Sequence, residues 1–308
     1  FQVLIFEYIL YTLIIIFIFK KYKIEIFSNI SFDFKDVVNK FYIYSKPLFI
    51  FLIVAFIYKF IDRWLIQTYI GAEGQAFFAI SMQFSTLTLL VTSSILKIFW
   101  KEISHSLERD NIDKTKKYFL AVSENLFIFT TVISSTLFFF SDNILNYFYT
   151  DDYGEASLVF KLMMLYPIVQ SMGQLYSTYL LASEKTKLYR NISILFLIVG
   201  IFLSILIFSN FGMKMGIEGI AIKLLIIDVL SITVCEYYIM RGFGMRINLT
   251  RKIKYLTGIF LTTYVIYVFQ QYLGFKFHFQ VFLVGSFYVL PIGIYLFKNL
   301  KQQGLSND

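Results

Sequence analysis

Long apolar runs recur along this sequence from one end to the other, and they constrain its fold more than any other feature. Runs of about 18 or more residues can cross about 30 Å of hydrocarbon. An open strand cannot satisfy its backbone hydrogen bonds in lipid, so each spanning run must be a helix. We therefore expect an all-α integral membrane protein with about nine transmembrane helices, at residues 1–19, 47–69, 76–98, 118–140, 157–181, 190–209, 217–240, 255–273 and 279–297.

The composition and the basic residues agree with this interpretation. Charged residues make up 16% of the chain, against about 25% in soluble domains. Of the 28 basic residues, 22 lie in alternate connecting segments and in the C-terminal tail. Because Lys and Arg accumulate on the cytoplasmic side, the sequence predicts a cytoplasmic C-terminus and cytoplasmic segments at 20–46, 97–119, 183–190, 241–254 and 298–308. The net charge of +8 therefore reflects topology, and we expect no nucleic-acid binding.

Few residues could support redox or metal chemistry. Cys235 is the single cysteine, which excludes a disulfide framework and a cysteine-based zinc site. His105 and His278 fall at or outside the predicted span boundaries, which argues against a buried histidine relay. The connecting segments are too short for a water-soluble catalytic domain. We expect no enzyme, no metal site and no organic cofactor.

The run YKFIDRWLIQ (58–67) places three charges inside a predicted span. Lys59, Asp62, Arg63 and Gln67 fall on one helical face by their spacing. A charge at mid-bilayer costs roughly 2.5–3.5 kcal/mol, so this face should lie toward the bundle interior or a wet cavity. Two interpretations remain open: a cationic site for an anionic headgroup, and a structural ion pair.

Other polar residues lie in the third, fifth and seventh spans. Gln170 and Gln174 share one face of the fifth span, and Pro167 is expected to kink that helix. In the seventh span, Lys223 and Asp228 differ by about 140° around the helix. Each of them therefore needs a partner on another helix, or water.

The third span carries a stripe of small hydroxyl residues, and single acids lie in two further spans. The stripe indicates either close helix packing or the wall of a hydrophilic cavity, and it consists of Ser81, Ser85, Thr88 and Thr92. Glu124 and Glu7 are candidate proton-coupling groups. The sixth, eighth and ninth spans are nearly uniformly apolar, which suggests that they face lipid.

Four stretches together resemble the oligosaccharide flippases of bacterial surface polysaccharide synthesis, the translocases of O-antigen or capsule repeat units. These belong to the multidrug/oligosaccharidyl-lipid/polysaccharide exporter superfamily. The stretches are KPLFIFLIVAFIYKFIDRWLIQTYIGAEGQAFFAISMQF (46–84), IFWKEISHSLERDN (98–111), YGEASLVFKLMMLYPIVQSMGQLYSTYLLASEKTKLYRNISI (153–194) and FGMKMGIEGIAIK (211–223). Their order and spacing carry the resemblance, which covers most of the chain.

The resemblance implies a fold of two six-helix lobes with two extra C-terminal helices. Residues 1–19 would then be the last helix of a truncated N-terminal lobe, and 20–46 a cytoplasmic linker. Residues 47–240 would form the six-helix C-terminal lobe, and 241–308 the two extra helices and a cytoplasmic tail. On this basis we expect the chain to be a C-terminal fragment.

The resemblance also implies a function. The protein would flip undecaprenyl-diphosphate-linked oligosaccharide units to the outer leaflet of the bacterial inner membrane by alternating access between lobes. Lys59 and Arg63, and less strongly Lys223, would attract the diphosphate or acidic sugars. Asp62 would hold them in register or exchange a proton or Na⁺, the coupling ion. The expected partners are the lipid-linked oligosaccharide, the bilayer, glycan polymerase and other assembly proteins.

Two rival functions follow from the same sequence. An ion-coupled multidrug or cation antiporter of the same superfamily would favour an acidic cavity, whereas the charge around 59–63 is cationic. A membrane glycan polymerase or ligase would carry a large outer loop with paired carboxylates. Here the outer loop is short, and its acids Asp151, Asp152 and Glu155 are typical of a solvated turn.

Overall fold

The computed structural model describes residues 34–148, 157–208 and 215–274, together with positions 10, 11, 17, 284, 285, 288 and 291–294. The described residues are almost entirely helical, and none of them forms a strand. The helices are α1 (Phe34–Tyr69), α2 (Ala72–Glu108), α3 (Ile112–Phe139), α4 (Ser141–Phe148), α5 (Ser157–Met163), α6 (Tyr166–Ala182), α7 (Thr186–Phe208), α8 (Gly216–Gly242) and α9 (Leu249–Tyr272).

The chain divides into two compact units, Phe1–Ile43 and Tyr44–Asp308. In the first unit, an ion pair between Lys40 and Asp36 at 2.7 Å lies one turn apart on the first part of α1. The second unit holds the remaining helices and their cores. Everything described below lies within this second unit.

Within the described part of the chain, four helical segments are long and apolar enough to cross a membrane. They are α2, α3, the stretch Ser157–Ala182 that contains α5 and α6, and α7. On α7, the exposed face consists of large apolar side chains at helical spacing, including Leu195, Ile198 and Phe202. Such a surface is stable against hydrocarbon and not against water. The prediction of an all-helical, membrane-embedded protein is confirmed.

The remaining predicted spans are covered by the structure to different extents. The spans at 47–69, 217–240 and 255–273 coincide with parts of α1, α8 and α9, and their crossing of the membrane stays a prediction. The greater part of each of the spans at 1–19 and 279–297 lies outside the described residues. So do residues 20–33 of the predicted linker, the acids Glu7, Asp151, Asp152 and Glu155, and the tail from 295.

The fifth predicted span, in which the sequence predicts a kink at Pro167, is broken directly before that proline. α5 ends at Met163 and α6 begins at Tyr166, directly before Pro167. Proline has no N–H to donate to the preceding turn, so the ladder of hydrogen bonds stops there. Two turn bonds bridge the break, from Met164 N to Phe160 O and from Leu165 N to Leu162 O, both at 3.1 Å. The membrane segment is thus two helices in series.

Of the two interpretations of the hydroxyl stripe on α2, the structure favours close helix packing over the wall of a hydrophilic cavity. Its four residues are buried, and each hydroxyl donates to a backbone carbonyl three or four residues earlier in the same helix. These bonds satisfy the hydroxyls without a partner on another helix. Small side chains then let α2 approach α3, α5 and α6 closely.

Close packing between α7 and α8 depends on Gly219. A Cβ atom at this position would lie 2.7 Å from Met215 Cβ and 2.9 Å from Ile207 Cγ2. Both atoms lie one or two bonds from their own Cα, so neither can move away without a shift of the backbone. The absence of a side chain at Gly219 therefore sets how closely the two helices approach.

We expect Gly219→Ala to destabilise the protein by about 1–3 kcal/mol through overpacking. The matched control is Gly258→Ala in α9, where a new Cβ atom meets nothing within 4 Å. That change should stabilise the helix by about 0.5–1 kcal/mol. Thermal unfolding of the purified protein in detergent checks both. Equal unfolding temperatures for the two variants would contradict the packing described here.

Candidate functional site

A charged cluster lies buried where α1, α7 and α8 meet, and we call it the ion-pair centre: Asp62, Ser204 and Lys223. Lys223 Nζ donates to both Asp62 carboxylate oxygens, at 2.7 and 2.6 Å, and to Ser204 Oγ at 2.8 Å. Ser204 Oγ lies 2.6 Å from Asp62 Oδ1 and 2.8 Å from Gly200 O, and shares its one proton between them. All three ammonium protons are therefore used within the centre.

Burial makes each member of the centre depend on the others. Asp62 is 5% exposed, Lys223 2% and Ser204 0%. An isolated charge at such a position would be very costly, and only a paired, fully hydrogen-bonded geometry offsets its desolvation. The surrounding core is apolar and is built mainly from α1, α7 and α8. The pair therefore joins α1 to α8 through a contact that neither helix can make alone.

An aromatic ring completes the centre. Lys223 Nζ lies 4.5 Å from the centroid of the Tyr58 ring, one turn before Asp62 on α1. This distance allows a cation–π interaction. Gly200 makes room for the ring, because a Cβ there would lie 2.7 Å from Tyr58 Cε2. The Tyr58 hydroxyl is buried and has no hydrogen-bond partner among the described residues.

The four residues of the predicted polar face of α1 do not lie in the same environment. Asp62 is buried, whereas Lys59, Arg63 and Gln67 are exposed on the described part of the molecule. At 100° per residue the four positions span an arc of about 140°, and only its Asp62 edge meets the buried sector that contains Tyr58. Of the two expected locations, the bundle interior holds only Asp62 within the described unit, and a wet cavity beside Lys59, Arg63 and Gln67 stays a prediction.

The structure also answers which residue pairs with Asp62. Its partner is Lys223, 161 residues further along the chain, and not the adjacent Arg63. The sequence required a partner for Lys223 on another helix, and the structure provides it. Arg63 forms no ion pair among the described residues, so its charge stays uncompensated on the exposed sector of α1.

Asp228 lies at the edge of the ion-pair centre. It is half-buried on α8 and forms neither a hydrogen bond nor an ion pair with any described residue. It interacts electrostatically with Lys223 and Lys59 and with the hydroxyls of Tyr58 and Tyr166. Asp228 therefore extends the charged region from the buried pair toward the exposed lysine.

Gln170 and Gln174 stand apart from this centre. Both are half-buried on α6, and their side-chain carbonyl oxygens are buried without a hydrogen-bond partner among the described residues. The neighbouring Ser171 hydroxyl has no partner either within that part of the chain. These are unsatisfied polar atoms in an otherwise apolar helix, and no described contact links them to Asp62 or Lys223.

A second charged cluster, absent from the sequence prediction, attaches α9 to α6 and α8. Lys252 Nζ lies 2.6 Å from both carboxylate oxygens of Glu236 on α8 and 3.1 Å from the Tyr176 hydroxyl on α6. Glu236 is only 5% exposed. Its position inside the seventh predicted span was the signal that could have identified it.

A neighbouring ion pair connects α9 to α3. Arg251 lies 2.5 Å from Glu124, which also accepts a hydrogen bond of 2.6 Å from the Tyr255 hydroxyl. The hydrogen bond from Arg251 to Tyr255 raises the pKa of Arg251, and Glu124 acts in the same direction. Both pairs line a cavity of about 190 Å³. Glu124 thus has two partners, so it is not the isolated acid that the sequence indicated.

Ser204 and Thr263 were also missed, since each lies in a span that the sequence suggested was uniformly apolar. Thr263 Oγ1 lies 2.9 Å from Ser135 Oγ on α3 and 2.9 Å from the Tyr288 hydroxyl. Single hydroxyl residues are common in membrane helices, where they usually bond their own backbone. The sequence therefore carried little signal for these longer-range contacts.

Comparison with known proteins adds no name to this arrangement. No protein-family model, no curated protein and no solved structure matches the chain.

The ion-pair centre makes a direct prediction about stability. Asp62→Asn leaves a buried ammonium without its counter-charge, and we expect it to destabilise the protein by about 3–5 kcal/mol. The double variant Asp62→Leu with Lys223→Met removes both charges, so it should unfold near the wild-type temperature. Thermal unfolding in detergent checks this. A single variant as stable as wild type would contradict the buried pair.

The attachment of α9 makes a second prediction. Lys252→Met leaves Glu236 buried and unpaired, which should cost about 2 kcal/mol or more. Arg251→Met removes a cation that is more than half exposed, so it should cost less than about 1 kcal/mol. Hydrogen exchange of α9 amides measures the difference. Similar protection of α9 in both variants would contradict this ranking.

Proposed function

We propose that this protein is a membrane transporter of the oligosaccharide flippase family, which moves undecaprenyl-diphosphate-linked repeat units to the outer leaflet of the bacterial inner membrane. The observation that carries the proposal is the charged region of α1 and α8 within a membrane-embedded bundle. Asp62 and Lys223 neutralise each other there, while Lys59 and Arg63 lie exposed on the adjacent sector of α1.

The positive charge on that exposed sector of α1 needs a counter-charge from a binding partner. Ionisable groups inside a membrane are expensive and mark ligand or ion pathways by default. Because Lys223 already neutralises Asp62, Lys59 and Arg63 add cationic charge that the buried pair does not cancel. A diphosphate is a fitting counter-ion, since guanidinium and ammonium groups both bind phosphate strongly. With the Asp228 carboxylate counted against them, one positive charge remains, and it favours an anionic substrate over the cation of a drug antiporter.

A hydrated diphosphate and its sugars cannot cross hydrocarbon unaided. The protein would supply a wet, cationic path for the headgroup, while the polyprenyl tail stays in lipid. In this proposal residues 47–240 form one six-helix lobe, and the exposed sector of α1 faces the other lobe of the family's fold. The interruption between α5 and α6 before Pro167 offers a point at which a rocking lobe could bend.

The remaining parts of the proposal follow from the predicted topology. The chain would cross the membrane about nine times, with its C-terminus in the cytoplasm. Asp228 has a carboxylate with no ion-pair partner among the described residues, and it suits the exchange of a coupling proton or Na⁺. Glycan polymerase and other assembly proteins would be its partners.

Transport by the full-length gene product in a bacterial host that lacks its own flippase tests the proposal. We expect Lys59→Ala and Arg63→Ala each to lower surface glycan by about tenfold or more, the effect of losing one charge-assisted hydrogen bond. The lipid-linked intermediate should accumulate in the inner leaflet. Lys97→Ala is the matched control, because Lys97 is an exposed lysine at the inner end of a predicted span.

Three results would contradict the proposal. Normal surface glycan in both variants at matched protein levels would remove the cationic site. Cation efflux without glycan transport by the wild type would identify an antiporter instead. Lengthening of glycan chains without movement between leaflets would identify a polymerase.

A further inference from the structure

A cavity of about 630 Å³ lies away from the ion-pair centre, at the ends of several helices. Its volume falls within the range of about 300–1,000 Å³ typical of small-molecule sites. The ends of α2, α6 and α8 and the start of α3 form its wall. These ends belong to the predicted cytoplasmic segments 97–119, 183–190 and 241–254. In the proposed orientation, the cavity therefore opens on the side from which substrate is taken up.

Aromatic rings form the floor and one wall of this cavity. The rings of Tyr179 and Phe243 have centroids 5.4 Å apart, and both pack on Phe119, at 5.1 and 5.6 Å. This packing fixes the floor, because each ring is held by two others. Trp100 also lines the cavity and is 39% exposed, so its indole ring is available to a ligand.

The rim of the cavity is polar and carries a net negative charge. Glu108, Glu184 and Lys185 line it, together with hydroxyl residues. Neither carboxylate forms an ion pair among the described residues. Two carboxylates against one ammonium disfavour phosphate and other anions, while their oxygens accept hydrogen bonds from hydroxyl groups.

Glu184 adopts a backbone conformation that is unfavourable for a residue with a Cβ atom. Its φ angle is +57°, at the end of α6 where Lys185 N donates to Leu180 O at 2.8 Å. Glycine is the preferred residue at such a helix end, because it has no Cβ. A glycine at position 184 would therefore keep or improve the fold while it removes the carboxylate.

We propose that this cavity binds a sugar ring without negative charge, as the glycan part of the flippase substrate, so the inference rests on the proposed function. A pyranose ring has an apolar C–H face that packs on aromatic rings and hydroxyls that donate to carboxylates. The aromatic floor and the acidic rim match these two properties. The diphosphate of the same substrate is recognised elsewhere, at the cationic sector of α1.

The two tryptophans of the chain allow a direct binding measurement. Trp64→Phe leaves Trp100 as the single tryptophan, and the variant is titrated in lipid nanodiscs with glucose, galactose, rhamnose and N-acetylglucosamine. We expect a saturable change in Trp100 emission with at least one of these sugars. Inorganic phosphate and glucose 6-phosphate should give no such change. Failure of all four sugars, or tighter binding of the sugar phosphate, would overturn the proposal.

Glu184→Gly on the same background tests the rim. We expect sugar binding to weaken by about tenfold or more, the effect of one lost charge-assisted hydrogen bond, with an unfolding temperature that is unchanged or higher. Asp110→Gly is the matched control, because Asp110 also has a positive φ, of 50°, at a helix end but does not line the cavity. Unchanged binding in Glu184→Gly, or equal losses in both variants, would contradict the site.

The results of the binding assay and of the transport assay are independent of each other. Normal flipping with no binding of an uncharged sugar would overturn the sugar site alone. Glu184-dependent sugar binding without glycan transport would support the site and overturn the proposed function.

Discussion

The buried pair of Asp62 and Lys223 is the interaction on which the meeting of three helices depends. It brings together α1 and α8, which are far apart in sequence, and Ser204 adds α7 to the same contact. The apolar packing around it tolerates exchanges between side chains of similar volume. A buried charge tolerates no such exchange, because removal of either partner leaves the other unpaired in a medium of low polarity. The pair therefore specifies which helices meet.

Much of the fold could be predicted from the sequence, and the pairing within the site could not. Helix positions follow from apolar runs, and the interruption before Pro167 follows from the missing N–H. Helical spacing identified Asp62 and Lys223 as residues in need of partners. It could not show that they are each other's partners, since periodicity describes one helix and not the helix opposite. For the same reason it grouped Asp62 with Lys59 and Arg63, which the structure separates.

The charged groups of the second unit have two distinct roles by position. The ion-pair centre is self-neutralised and surrounded by apolar core. The cluster at the start of α9 attaches that helix to α3, α6 and α8 through Arg251, Lys252 and Tyr255. A packed group of rings that includes Phe119, Tyr176 and Phe243 lies between this cluster and the larger cavity. A ligand that binds on the floor of the larger cavity would therefore affect the ion pairs that attach α9, because the packed rings connect the two.

The distance in sequence between Asp62 and Lys223 has a consequence for biosynthesis. The two residues are 161 positions apart, and a ribosome that adds about 5–20 residues per second needs on the order of 10–30 s to cover that distance. During this interval α1 carries a carboxylate that has not yet met its partner. Insertion of α1 before α8 has been made would place this carboxylate in hydrocarbon without its counter-charge, at a cost of roughly 2.5–3.5 kcal/mol. A nascent chain that stops before residue 223 would carry that cost for as long as it exists.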